Sequence, residues 1–294
     1  MLHAQGQEGQ LRLAIQREGR LTENTLALLR SIGLEFESFG RKLFSNCRNF
    51  PLALLHTRDD DIPEYVSAGT VDLGIVGRNL LHEEQASVEE LLPLGFGYCS
   101  LVVAIHKDAP ITSVEQLAGA KIATSYPGSA RHFFASRQIP VEIITISGSV
   151  EVAPLLGLAS AIVDLTATGS SLVLNDLRPL ETILESEAVL AANPQALTDP
   201  ARHANIDRLL LRIKGVLAAK RYRYVMMNAP RAALDEIKRI VPGLKSPTVV
   251  PLADPEWVAV HAALREEIFW EAIEALREAG ASEILVSPIE KLIQ

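Results

Sequence analysis

The sequence predicts an α/β protein: a two-lobed body of alternating strands and helices, then a smaller module in the ferredoxin-like order βαββαβ. Three observations carry that prediction. Short apolar runs alternate with helix-period segments from Leu11 to Leu165, the pattern of α/β architecture. A chain of 294 residues exceeds what one hydrophobic core usually serves, so more than one domain is expected. Beyond Lys220 the order of elements changes to the ferredoxin-like one.

In order, residues 11–15 read as the first strand, and Thr22 opens a helix through Leu26, Leu29 and Ile32 that stops at Gly33. Residues 53–56 form a strand. The acidic loop 58–63 follows, and a short helix over 63–68 leads to a buried strand at 71–76. The strand 101–105 starts a second series: a short helix at 114–117, a strand at 121–125, a helix at 129–137 and a strand at 141–146. Ser149 opens another helix, and the strand 161–165 closes the set. Residues 181–219 return as strand and long helix, packing back on the first lobe. The tail reads strand 224–227, helix 231–240, strands 248–252 and 258–261, helix 266–278 and strand 283–286. Two such lobes leave a cleft between them, and ligands of open α/β sheets sit beyond the carboxyl ends of the strands.

Composition narrows the function. The apolar fraction of 48% and charged fraction of 22% are those of globular proteins, which excludes a disordered chain. A net charge of −8 excludes nucleic acid as the main partner, because phosphate backbones want a basic face. Cys47 and Cys99 form neither a disulfide framework nor a zinc spacing. Met1 to Gln10 is polar, without the apolar core of a signal peptide, and no apolar run is long enough for a membrane span. A cytoplasmic protein is expected.

The most chemical stretch is 161–172. An apolar strand ends in Asp164, and Thr166-Ala167-Thr168-Gly169-Ser170-Ser171 follows before a new apolar run. Such a turn aims backbone N–H groups and hydroxyls at one spot, which suits a phosphate. No lysine follows the glycine, so it is not the loop of nucleotide hydrolases. Arg17 and Arg20 lie in a polar turn at a strand end, placed for phosphate contact, and Gly19 between them permits close backbone approach. Asp72 interrupts an apolar strand. A buried carboxylate must be paired, so it is expected to orient an arginine such as Arg58 or to reach the ligand.

Several segments in order resemble the ATP phosphoribosyltransferase family of histidine biosynthesis, in its long, three-domain form. They are Ile15-Gln16-Arg17-Glu18-Gly19-Arg20-Leu21, Arg58-Asp59-Asp60-Asp61-Ile62-Pro63, Val71-Asp72-Leu73-Gly74-Ile75 and Ile122-Ala123-Thr124-Ser125-Tyr126-Pro127. Gly148-Ser149-Val150-Glu151-Val152-Ala153-Pro154, the stretch from Asp164 to Leu172, Gly280-Ala281-Ser282-Glu283-Ile284-Leu285-Val286 and Pro288-Ile289-Glu290-Lys291 complete the match. The loop after Leu80 is shorter than in some members. The resemblance implies transfer of a phosphoribosyl group from phosphoribosyl pyrophosphate to ATP, with Mg2+. It implies a periplasmic-binding-protein-like body, with lobe I at 1–104 and 183–218 and lobe II at 105–182. An ACT-like regulatory domain would occupy 219–294 and bind histidine as inhibitor through Asn228, Thr248 and Ala263. A homohexamer in equilibrium with dimers is implied as well.

On this reading Thr166, Ala167, Thr168, Gly169, Ser170 and Ser171 hold the ribose 5′-phosphate, and Asp164 holds ribose hydroxyls or balances cationic charge. Tyr126 stacks on adenine or contacts ribose, Glu151 lies near the ribose or metal, and Arg17, Arg20 and Arg58 serve phosphates. Catalysis is expected to rest on Asp164, Glu151 and Arg17. The competing readings are a two-lobed solute-binding protein, a sensor without catalysis, and a purine-type phosphoribosyltransferase. The last would show two adjacent acids before its phosphate loop, which Asp164-Leu165 does not supply.

Overall fold

The computed structural model describes residues 9–37 and 43–293; the polar N-terminal residues 1–8 lie outside them. Two compact units divide the chain, Met1–Ile206 and Asp207–Gln294. The strands of the first unit are β1 (Leu11–Gln16), β2 (Phe44–Asn46), β3 (Leu52–Thr57), β4 (Leu73–Gly77), β5 (Glu89–Pro93), β6 (Cys99–His106), β7 (Lys121–Thr124), β8 (Glu142–Thr145), β9 (Ala161–Thr166), β10 (Leu177–Ser186) and β11 (Ala188–Ala192). Its helices are α1 (Thr22–Ser31), α2 (Ile62–Ser67), α3 (Arg78–Glu83), α4 (Pro127–Ser136), α5 (Ser170–Leu174) and α6 (Pro194–Thr198), and α7 (Pro200–Ala219) runs across the division.

These strands build two sheets, ordered β2-β3-β1-β4-β11-β5 and β10-β6-β9-β7-β8. β1 is parallel to β3 and β4, and β7 is parallel to β8 and β9. Every residue of β4 is buried, as expected of a central strand, here parallel to β1 and antiparallel to β11. The chain passes between the sheets twice, through residues 94–98 and through Glu187. The passages are bonded to each other: Leu94 N–H donates to the Ala188 carbonyl at 2.9 Å, and Ala188 N–H to that of Phe96 at 2.9 Å. Gly95 N–H also donates to the Glu187 carboxylate at 3.0 Å.

The sheet boundary differs from the expected lobe bounds at 104 and 183. Cys99–His106 and Leu177–Ser186 both lie in the second sheet, because β6 pairs antiparallel with β9 and β10. Two short elements, α3 and β5, carry no sequence pattern of their own. Six residues are too few for a helical period, and β5 is an edge strand whose two glutamates face solvent.

The second unit holds β12 (Tyr222–Pro230), α8 (Leu234–Ile240), β13 (Thr248–Pro251), β14 (Trp257–Arg265), α9 (Phe269–Glu278) and β15 (Ser282–Pro288). Its antiparallel sheet runs β13-β14-β12-β15, the ferredoxin-like order expected. Alternation is strict. Val225, Met227 and Ala229 on β12, with Val258, Val260, Ala262 and Leu264 on β14, pack against Ile237 of α8 and Ala272 and Leu276 of α9. Tyr224, Met226, Asn228, Ala259, His261 and Ala263 form the opposite, partly exposed face.

Candidate active site

The carboxyl ends of β1 and β3 in the first lobe, and of β7 and β9 in the second, carry most of the residues singled out in the sequence. Gln16 closes β1 and is 5% exposed. Its Oε1 accepts the Leu21 N–H at 2.8 Å, and its Nε2 donates to Asp59 Oδ2 at 2.8 Å. One amide therefore ties the arginine turn to the single-turn 3₁₀ helix Asp59–Asp61. Gly19, at φ +138°, is required by that amide, since a Cβ there would collide with the Gln16 side chain. The backbone at Gly19 thus approaches Gln16 closely.

Arg17 N–H donates to the Thr57 carbonyl at 2.8 Å. Its side chain lines a cavity of about 550 Å³ with His56, Arg58, Asp59 and Tyr65. Burial, and then the charge of Arg17, hold the His56 pKa below its ordinary value, while burial and then Asp60 raise that of Asp59. Arg20 donates to the Gly97 carbonyl in the passage between the sheets. Arg58 is exposed, 3.2 Å from Asp60.

In the second lobe β9 ends at Thr166, whose Oγ1 accepts the Gly169 N–H at 2.8 Å. Gly169 sits at φ +76° immediately before α5, and a Cβ built there meets no atom within 4 Å. The Thr168 and Ser170 hydroxyls are 2.8 Å apart, and Ala167, Thr168, Ser170 and Ser171 are exposed. The helix begins at Ser170, within the turn itself, and five residues make its dipole slight. The turn offers N–H and hydroxyl donors around open space.

Asp164 is half-buried, and Leu165 N–H donates to its Oδ1 at 2.8 Å. Burial drives its pKa up to about 6 against the Leu165 hydrogen bond, with the nearby negative charge of Glu151 adding to the rise. Glu151 itself lies in a single 3₁₀ turn, Val150–Val152, after Ser149 at φ +49°; the expected helix from Ser149 reduces to that turn. Tyr126 follows β7. Its ring packs against apolar clusters of both lobes. Burial raises its hydroxyl pKa, and Asp164 and Asp59 add to the rise, so one tyrosine faces carboxylates from each lobe.

Asp72 does not belong to this constellation. It is 2% exposed at the amino end of β4, where its Oδ2 accepts the Arg12 N–H at 2.7 Å and its Oδ1 lies 3.1 Å from Arg202. The expected pairing with Arg58 is corrected to Arg202 of α7, because the sheet puts Asp72 and Arg58 at opposite strand ends. On the open face of the tail sheet, Asn228 donates to the Glu283 carboxylate, and the Tyr224 hydroxyl lies 3.1 Å from His261 Nδ1. Asn228 and His261 line a cavity of about 420 Å³. Thr248 is paired across from His261 and Ala263 across from Tyr224, and neither Thr248 nor Ala263 lines that cavity.

Among the described residues, no three His, Cys, Asp or Glu side chains converge as a ready metal cage. Sequence reasoning missed Gln16 and Asp59 as a unit. The available signal was a polar residue closing an apolar strand.

The chain matches the ATP phosphoribosyltransferase family model over residues 58–215, and the model of that family's C-terminal domain over 219–291. The ATP phosphoribosyltransferases of Cytophaga hutchinsonii and Bacteroides fragilis (strain ATCC 25285) are each 44% identical, covering 97% and 96% of this chain and 99% of their own. A chain of the ATP phosphoribosyl transferase (HisG:HisZ) complex from Thermotoga maritima is similar in structure, with a TM-score of 0.62 and 27% identity, over 69% of this chain and 96% of that one.

Proposed function

This chain belongs to the ATP phosphoribosyltransferase family, and we propose how its residues divide that family's reaction between the two lobes. The activity is that of a pentosyltransferase: phosphoribosyl pyrophosphate and ATP give phosphoribosyl-ATP and pyrophosphate, the first step of histidine biosynthesis. A ring nitrogen of adenine forms a bond to the anomeric carbon as the carbon–oxygen bond to pyrophosphate breaks, and pyrophosphate leaves with the electron pair. Positive charge grows on the ribose and negative charge on the leaving group, so positioning and electrostatics dominate over covalent help.

The turn Thr166–Ser171 binds the 5′-phosphate, its N–H groups and hydroxyls closing around the open space at Gly169. Asp164, ionised above about pH 6, faces the ribose, where its charge offsets the developing cation. Glu151 adds to that negative field. Arg17 and Arg20 take phosphate groups from the other lobe, held in place by Gln16. Tyr126 spans the lobes and contacts ribose or adenine. The observation that carries this reading is that Tyr126 lies against the cores of both lobes, within reach of the charges of Asp164 on one side and of Asp59 and Arg20 on the other.

Mg2+ fits this donor set. It takes one or two carboxylates and fills its shell with phosphate oxygens and water, and Asp164 and Glu151 supply that many. When bound it would offset the charge of the departing pyrophosphate. The tail is read as the place where free histidine binds and inhibits, through Asn228, which lines the cavity on its open sheet face, and through Thr248 and Ala263 on the strands beside it. Homohexamers in equilibrium with dimers, and a cytoplasmic location where ATP and phosphoribosyl pyrophosphate are made, complete the proposal. Continuous measurement of pyrophosphate release tests it: release must require both substrates and Mg2+ and must fall when histidine is added. Tight ligand binding without release would support a sensor instead.

A further inference from the structure

The two lobes are joined by a carboxylate as well as by the chain. Helix α4 begins at Pro127, which has no N–H, so Gly128 and Ser129 carry the first unpaired donors of its opening turn. Both are satisfied from the other lobe. Gly128 N–H donates to Glu83 Oε1 at 2.7 Å, and Ser129 N–H donates to Glu83 Oε2 at 2.7 Å. Glu83 ends α3, which follows β4 of the first sheet. The neighbouring His82 places its Nδ1 3.0 Å from the hydroxyl of Ser129, a fully buried residue. The helices meet closely: a Cβ on Gly128 would come within 2.5 Å of the Glu83 carbonyl oxygen. An anion on a helix N-terminus, with both oxygens receiving N–H donors, is a strong and directional grip.

What the grip holds is Tyr126. This residue immediately precedes α4, its N–H donates to Thr124 Oγ1 at 2.8 Å, and its ring lies against the cores of both lobes. The donor turn is in the second lobe and the arginine turn in the first. Their separation is therefore set by whatever fixes one lobe on the other. Misplacement by about 1 Å can cost a displacement reaction about 100-fold in rate.

We propose that Glu83 is a positioning residue for phosphoribosyl transfer: by gripping the Gly128 and Ser129 N–H groups it fixes Tyr126 and the donor turn opposite Arg17, Arg20 and Asp59. The inference rests on the division of the reaction between lobes proposed above. Glu83 touches no reacting atom in this scheme.

The test uses the full chain. Glu83→Gln keeps the shape but presents an NH2 group where an acceptor stood, and Glu84→Gln is the exposed neighbouring control. Amide hydrogen exchange across residues 126–134 reads the grip itself and should quicken by about tenfold or more in Glu83→Gln. In the same protein kcat should fall by about 10–100-fold. The Kd for phosphoribosyl pyrophosphate, measured by calorimetry, should change several-fold less than kcat does, since the 5′-phosphate turn lies within one lobe and only contacts with Arg17 and Arg20 depend on the other. In the double variant with Tyr126→Phe, the loss should be smaller than the product of the two single losses, as expected of residues acting through one another. Should Glu83→Gln fold poorly, Gly128→Ala pushes the helices apart with the carboxylate intact and should give the same split. Faster exchange with kcat within about twofold of the unaltered chain would make Glu83 a helix cap only and overturn the proposal, as would fully multiplicative losses. An unaltered chain that releases no pyrophosphate would instead sink the reaction reading, while exchange would still report whether the grip exists.

Discussion

Replacing Asp164 by Asn should make the free protein more stable while crippling its activity. The two side chains have the same shape, and the Asn carbonyl oxygen can still accept the Leu165 N–H, so the change removes charge and little else. Burial lifts the Asp164 pKa from its ordinary 3.8 to about 6. That separation corresponds to about 3 kcal/mol, as an upper bound, by which the folded state disfavours the ionised form. The sign follows from proton binding. Between about pH 4 and 6 the native state holds more protons at this site than the unfolded state does. Stability of the unaltered protein therefore falls as pH rises through that window, and the loss is complete above it. Urea unfolding in metal-free buffer should show Asp164→Asn ahead at pH 4.5 by at most about 1 kcal/mol and at pH 8 by more than that, up to about 3 kcal/mol. A variant less stable than the parent at pH 8, or an advantage that does not grow with pH, would refute the claim that Asp164 is a charge held at a cost. The same carboxylate explains an expected fall of kcat/KM in the parent as pH drops below about 6, because protonation removes the charge the ribose needs.

Gly169→Ala and Gly169→Val must both hold φ +76°, at about 1 kcal/mol, but only Val fills the open space of the turn. Calorimetry should find phosphoribosyl pyrophosphate binding weakened in the first and lost in the second, and near-native affinity of the Val variant would remove this turn from the site. Asp72→Asn strips Arg202 of its charged partner and should cost roughly 2–3 kcal/mol of stability by urea titration, with kcat/KM of the folded enzyme unchanged; a selective loss of kcat/KM would return Asp72 to the active site. Truncation after Lys220 should abolish inhibition by histidine, and continued inhibition in the remaining body would place the effector site outside the tail.

The segment from Asp164 to Ser171 was legible in the sequence because its chemistry is local: an apolar strand, an acid, then hydroxyls around one glycine, all within a few residues. The tail was legible for a similar reason, since strict alternation on β12 and β14 announces one buried face. Even the family match rests on such local strings. The partners of buried polar groups were not legible. Asp72 announced that it needed a cation, but Arg202 stands 130 positions away, and only the packing of α7 against the amino end of β4 selects it over Arg58. Gly19 was read as making room for a ligand, and that it also makes room for Gln16, whose other hydrogen bond reaches Asp59, could not be seen in the sequence. Glu83 looked like any acid near the end of a short helix until the second lobe brought Gly128 and Ser129 onto it. A sequence records which groups demand a partner, because burial and charge follow from local pattern. Which group answers depends on strand order and on how the two sheets face each other, and those are decided only when distant segments pack.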